Sequence, residues 1–187
     1  MNEIWQDELE KLCERVAKKK TILRIKEFQD EHGKKEVNTT IIRWLITKKL
    51  CWDRETVCEK LTMHNFIQNK MEGFISREYH YNIWQALDEA FPDEKYLPWE
   101  LYRVPSGFWN RDKAIEALKW LVEEKLKWSN RKICSSFKPQ QIAKVKPHGY
   151  KFFWLIKRYF NNDPYEALEE MYPGKFEKVG EKIRIKK

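Results

Sequence analysis

The chain has 187 residues, with 37 Lys and Arg against 29 Asp and Glu, a net charge of +8, and 14% aromatic residues including 9 Trp. That length holds one or two small domains with a real core, and six Gly and seven Pro are too few for a low-complexity chain. No apolar run approaches the ~20 residues that span a bilayer. The early acids Glu3, Asp7, Glu8, Glu10 and Glu14 leave no apolar stretch for a secretory leader, so a cytoplasmic, membrane-free protein with reduced thiols is expected.

Residues 1–34 read as an N-terminal helical segment. Ile4, Trp5, Leu9, Leu12, Cys13, Val16 and Ala17 recur at helical spacing, and the lysines at 18–20 end that helix or line its polar side. Ile22, Ile25 and Phe28 predict a second helix, stopped near His32 and Gly33. A first helical unit covers 35–92. Asn38 or Thr39 is the expected N-cap of a helix running to about Leu50, and Asp53 caps a short helix ending near Leu61. Residues 62–73 carry no decisive pattern, and one further helical region spans 75–91 before Pro92. Residues 93–110 contain prolines and a Ser-Gly pair yet also Tyr96, Trp99, Phe108 and Trp109, so they predict an irregular strap packed on the core of one or both units.

The second unit, 111–174, has sharper boundaries. Asn110 or Asp112 caps a helix whose stripe is Ala114, Ile115, Leu118, Leu121, Val122 and Leu126. Ser129 or Asn130 caps a helix over 131–137, and Pro139 opens a short one. A strong helix over 150–160 follows, with Phe152, Phe153, Ile156 and Phe160 expected to face the core. Asn161-Asn162 turns the chain, then Asp163 caps and Pro164 starts a last helix. The basic tail, 175–187, reads as a short strand or a disordered arm. The expected fold class is all-α: two tandem helical repeat units behind an N-terminal helical segment.

The two units read as copies. At an offset of 76, Trp44 meets Trp120, Leu45 meets Leu121, Leu50 meets Leu126, Trp52 meets Trp128, Cys58 meets Cys134 and Gly73 meets Gly149. Beyond that the offset is 81: Ala86-Leu87 meets Ala167-Leu168, and Phe91-Pro92 meets Tyr172-Pro173. Such self-similarity marks a repeated supersecondary unit. Recurring residues predict shared core, and differences between copies point to function.

The largest difference is charge. Residues 1–92 hold 16 basic and 16 acidic residues, whereas 93–187 hold 21 and 13. Residues 125–162 contain ten cations and no acid, a composition suited to a polyanion. The candidate nucleic-acid contacts are Arg131, Lys132, Lys138, Lys144, Lys146, Tyr150, Lys151, Trp154, Lys157 and Arg158. Lys151, Trp154 and Arg158 lie at i, i+3 and i+7 and share one helical face, with Trp154 or Tyr150 placed to stack on sugar or base. A helix-turn-helix version puts Gln140, Gln141 and Lys144 of the short proline-led helix at base edges.

Other constellations carry little chemistry. The spacing of Cys51, Cys58, His64 and His80 fits no structural zinc pattern, and the Cys58/Cys134 pair reads as a small apolar site. The adjacent acids Glu123-Glu124 and Glu169-Glu170 point in different directions around a helix. No phosphate loop, dinucleotide loop, HExxH or nucleophile elbow is present, so no catalytic residue, metal or cofactor is implied.

The ends of the two units, NIWQALDEAFP (82–92) and NNDPYEALEEMYP (161–173), resemble the small helical repeats that accompany homing endonucleases. That family closes its unit with a turn, an aromatic, an Ala-Leu pair and a small-residue terminator. Here Phe-Pro and Tyr-Pro stand where the family usually has Ala-Gly. The resemblance implies DNA-binding helical modules. No HNH or GIY-YIG signature accompanies it, so it implies no nuclease activity. The reading is therefore a non-catalytic nucleic-acid-binding protein, DNA ahead of RNA, in which the second unit and the basic tail supply the cations and the first unit serves as scaffold or surface for a protein partner. The alternative is an interaction adaptor that docks on an acidic protein.

Overall fold

The computed structural model describes residues 4–18 and 25–186. The expected roles of Lys19, Lys20 and Ile22 lie outside the described residues. The chain is predominantly helical, with a two-stranded hairpin at its end, and divides into two compact units, Met1–Pro105 and Ser106–Lys187.

In the first unit, α1 (Ile4–Lys18) buries Leu9, Cys13 and Val16, while α2 (Lys26–His32) packs on α3 (Lys34–Arg43). Helix α3 starts earlier than its polar residues predict. Gly33 stands at its N-cap, and Asn38 and Thr39 lie buried inside it. Asn38 accepts a 2.8 Å hydrogen bond from Gln29 and donates to Glu78, and Thr39 bonds the Glu36 carbonyl. Asn38 thus answers tertiary partners and Thr39 bonds back within its own helix, the other uses of residues that favour caps. After α3 the chain widens into a π-helical turn, Trp44–Lys49. Asp53 caps α4 (Arg54–Lys60) by accepting from the Thr56 N–H at 2.8 Å. The undecided stretch forms α5 (Met63–Gln68), begun by a Thr62–Asn65 capping box.

The expected single helix over 75–91 is two: α6 (Glu72–Tyr79) and α7 (Ile83–Ala90). They are separated by His80 and Tyr81, both with φ in the left-handed region. Residues 92–105 fold back on this unit. Tyr96, Pro98, Trp99 and Leu101 are buried, and Trp84 donates its indole N–H to the Tyr96 carbonyl. The Arg54 guanidinium lies over the Tyr96 ring and grips Glu100 with two hydrogen bonds.

In the second unit, Asn110 caps α8 (Arg111–Trp120), which again widens into a π turn, Leu121–Lys125. Ser129 caps α9 (Asn130–Ser136), and Pro139 opens the single-turn α10 (Pro139–Ile142). Helix α11 (Gly149–Tyr159) ends in Asn161 and Asn162, both left-handed. Asp163 then caps α12 (Pro164–Met171). The core is built from Leu118, Leu121, Val122, Ile133, Phe137, Phe152, Ile156, Phe160 and Leu168, each contributing ~1.5–3 kcal/mol by leaving water. The tail forms β1 (Phe176–Val179) and β2 (Lys182–Ile185), an antiparallel pair in which Val179 faces Lys182. Its two-residue turn starts with Gly180 at φ 61°, as a type II′ turn requires.

Local features recur at the sequence offsets. Leu50 and Leu126 each donate to the carbonyl five residues back, at 2.9 Å, and Cys51 and Lys127 are both left-handed at the helix exit. Asp53 and Ser129 cap at offset 76, and Asn82 and Asp163 at offset 81. Not every recurring residue is core. Trp44 is buried, but Trp52, Trp120 and Trp128 are half-buried, as is Cys134 opposite the buried Cys58. The glycine pair also divides. A Cβ on Gly149 would lie 2.4 Å from the Ile142 carbonyl oxygen, whereas Gly73 has open space around it.

Candidate nucleic-acid interface

Helix α11 is amphipathic because Phe152, Leu155, Ile156 and Phe160 recur on one side and are buried. The opposite side carries the predicted ligand groups. Tyr150 is 60% and Trp154 45% exposed, high values for large aromatic rings. Phe153, expected in the core, instead joins them. Its ring stacks on Tyr150 at 5.6 Å and meets Trp154 edge-on at 6.1 Å, while Tyr150 and Trp154 are 6.0 Å apart. With positions 152, 155, 156 and 160 filling the core, Phe153 has no inward direction left. The three rings form a ledge along α11. Lys157 places its ammonium 4.8 Å from the Trp154 ring centre, a contact worth ~0.5–1 kcal/mol at an exposed site. Arg158 is exposed beside it, over the Tyr159 ring, and Lys151 is half-buried on the ledge face.

The remaining cations sit on α9 and the turns around α10. Arg131 and Lys132 are exposed on α9; Lys138 is exposed at the N-cap of α10; Lys144 and Lys146 are exposed in the turn before α11. Arg131 and Lys138 come together on one groove, whereas Lys132 lies off it. Gln140 and Gln141 are exposed, but α10 has only four residues. At 1.5 Å per residue that is one turn, too short to serve as the recognition helix of a helix-turn-helix.

The two units handle their charges differently. In the first, several cations pair with acids from distant elements: Lys34 with Glu78 at 3.0 Å, Lys49 with Glu14 at 3.7 Å, Arg54 with Glu100 at 2.6 Å, and Lys48 with Glu10, while Lys11, Arg15, Lys35, Lys60 and Lys70 make no ion pair among the described residues. Glu78 shows the strength of this pairing. Burial pushes its carboxyl up, but hydrogen bonds from Arg77, Lys34 and Asn38 prevail and hold it at about 2. In the second unit the acids pair elsewhere. Arg111 holds Glu166 and Glu170, Lys113 holds Glu116, and Lys178 holds Asp163 at 2.9 Å. Among the described residues, Arg131, Lys132, Lys138, Lys144, Lys146, Lys157 and Arg158 make no ion pair. This difference in pairing is absent from the residue spacing, because partners in the first unit lie some forty positions apart.

The first unit has a larger open cleft, about 910 Å³, along α1. It is lined by Leu12, Phe28 and Trp44 together with charged side chains of both signs. Cys13 beside it is no nucleophile, since burial and the neighbouring Glu10 and Glu14 push its thiol up to about 12. Among the described residues, no group of three or more His, Cys, Asp or Glu is placed to hold a metal ion, and no helix is long and apolar enough to cross a membrane.

Residues 94–177 match the model of a family described as protein of unknown function (DUF4046). The matched span runs from the strap into the start of β1 and contains the whole acid-free stretch, so the chain is similar to that family where its charge is concentrated. No curated protein and no solved structure matches the chain.

Proposed function

We propose that this protein binds nucleic acid without catalysis, through phosphate contacts made by the second unit. The observation that carries the reading is a set of seven exposed cations with no acidic partner among the described residues, accompanied by an exposed aromatic ledge. Unpaired cations retain their full field for a polyanion, and here no acid lies among them in sequence from 125 to 162, whereas the unpaired cations of the first unit are interspersed with acids. Tyr150 and Trp154 supply flat faces for sugar or base, and each stacked base adds ~1–3 kcal/mol. Lys157 lies on one Trp154 face and is within its own length of a phosphate beside that ring. The resemblance of the closing helices to DNA-binding repeats favours DNA over RNA.

In this reading the two units are copies of one helical module, of which the second has kept its cations free. The first serves as scaffold. Its mixed-charge, apolar-floored cleft supports a second role there, docking of a protein partner, because both charge signs and a Trp-Phe floor suit a polypeptide better than a phosphate chain.

The test is a fluorescence-anisotropy titration of the full chain on duplex DNA, single-stranded DNA and RNA at low salt. Saturable binding is expected, lost in the Lys157→Glu/Arg158→Glu variant while its helical circular dichroism persists. Lys60→Glu, an exposed position of the first unit, is the matched control. Arg54 is unsuitable for that purpose because its grip on Glu100 belongs to the fold. No binding to any of the three, together with specific capture of an acidic polypeptide, would establish the adaptor reading instead.

A further inference from the structure

The C-terminal hairpin has no counterpart among the described residues of the first unit, where α7 runs into a 3-10 turn at Pro92. It is held in place firmly. Phe176 is fully buried and meets Tyr172 edge-on, and Lys178 bonds Asp163, the residue that caps α12. Strand β2 lies alongside α9, leaving a groove of about 380 Å³ between them. Arg131, Cys134 and Ser135 line its α9 wall, at i, i+3 and i+4 of one helical face. Lys182 and Arg184 line the β2 wall, and Lys138 closes one side. Phe137, Pro164 and Ile183 make the remainder apolar.

Four cations therefore converge on one groove that contains a single acid, Glu181. Among the described residues none of the four has an ion-pair partner. Like charges brought together repel, and the arrangement is relieved by an anion placed between the walls. The hairpin and the unpaired cations occur in the same unit, and each wall contributes two or three of the groove's polar groups. An apolar surface bordered by cations and the Ser135 hydroxyl matches a sugar flanked by phosphates. A sugar–phosphate backbone repeats that pattern at every nucleotide, whereas an acidic peptide repeats it only where acidic and apolar residues alternate.

We infer that the groove between α9 and β2 holds the sugar–phosphate backbone of the bound strand, with Lys182 and Arg184 as contact residues. This rests on the nucleic-acid reading above and adds a second wall to it, distinct from the α11 ledge. The tail is then part of the binding surface.

The experiment titrates a fluorescent oligonucleotide with the full chain and with Lys182→Glu/Arg184→Glu, at several salt concentrations. Two lost phosphate contacts lower the slope of log K against log salt by about 2, and affinity falls at least tenfold at low salt. Arg131→Glu/Lys138→Glu, on the facing wall, gives the same result if the groove acts as one site, and checks any variant whose circular dichroism changes. Wild-type binding with unchanged affinity and slope in both variants overturns the groove and leaves the general function standing. Absence of wild-type binding overturns both. Equal displacement of the oligonucleotide by inorganic triphosphate or by a poly-glutamate peptide, at matched charge, overturns the assignment to a nucleic-acid backbone.

Discussion

Gly149 offers the sharpest structural test, because its counterpart at offset 76 makes an internal control. Helix α11 begins against α10 so closely that a Cβ at Gly149 would sit 2.4 Å from the Ile142 carbonyl oxygen, 3.0 Å from that of Ala143 and 3.1 Å from the Val145 Cβ. An ordinary carbon–oxygen contact is ~3.3 Å or more, so Gly149→Ala must push the two backbones apart by about 1 Å. Both offending oxygens are backbone, so no side chain can swing away. Forcing a methyl into such packing costs ~1–3 kcal/mol. For a chain of this size that lowers Tm by ~2–12 °C. Gly73 lies in α6 with nothing within 4 Å of the same added atom. Gly73→Ala removes backbone freedom from the unfolded chain and is expected to stabilise by ~0.4–1 kcal/mol. Thermal unfolding followed by circular dichroism should thus shift in opposite directions for two identical substitutions. A Gly149→Ala protein as stable as the wild type would refute the α10–α11 crossing. It would also remove the support that aims the aromatic ledge.

Three further outcomes follow from named contacts. Glu78 has a folded pKa of about 2, below its unfolded value of ~4.3, so its contribution is complete above that value and lost as pH falls toward 2. Glu78→Gln should lower Tm near neutral pH, and the gap to wild type should close on acidification; a pH-independent gap would contradict the Lys34–Arg77–Asn38 cage. Asn110→Ala removes the 2.8 Å cap on the Lys113 N–H and should cost ~1 kcal/mol in a denaturant titration. Among the thiols, exposed Cys51 should alkylate first, while Cys13, buried and pushed up to about 12, should react only on unfolding; mass spectrometry of partly labelled protein decides this.

The legible parts of the fold share a cause. Asp53, Asn110, Ser129 and Asp163 are polar acceptors directly ahead of apolar helical stripes, and each caps as read. Asn38 and Thr39 carry the same chemistry, but Asn38 spends it on tertiary hydrogen bonds and Thr39 on the carbonyl three residues back in its helix, which local pattern does not distinguish. The turn at Asn161-Asn162 was legible, and its left-handed backbone is one that Asn tolerates. Its counterpart His80-Tyr81 adopts it without such a signal, and α6 and α7 therefore read as one helix. At the candidate site, spacing identified the Lys151–Trp154–Arg158 face but put Phe153 inside. Lys182 and Arg184 belong to the tail expected to supply cations, but their alternation with Ile183 and Ile185 after Gly180 is too short a run to separate a strand from an arm. Which cations are free was beyond reach, since that depends on acids brought in from other elements.

The most direct test of the central claim is the salt dependence of DNA binding by the intact chain. With six or so of its free cations each neutralising a phosphate, log K should fall against log salt with a slope of about −5 on duplex DNA. Charge reversal at Lys157 and Arg158 should flatten that slope by about 2, and reversal at Lys60 should leave it alone. A slope near zero, or one that Lys60→Glu alters as much as Lys157→Glu/Arg158→Glu does, would contradict the account.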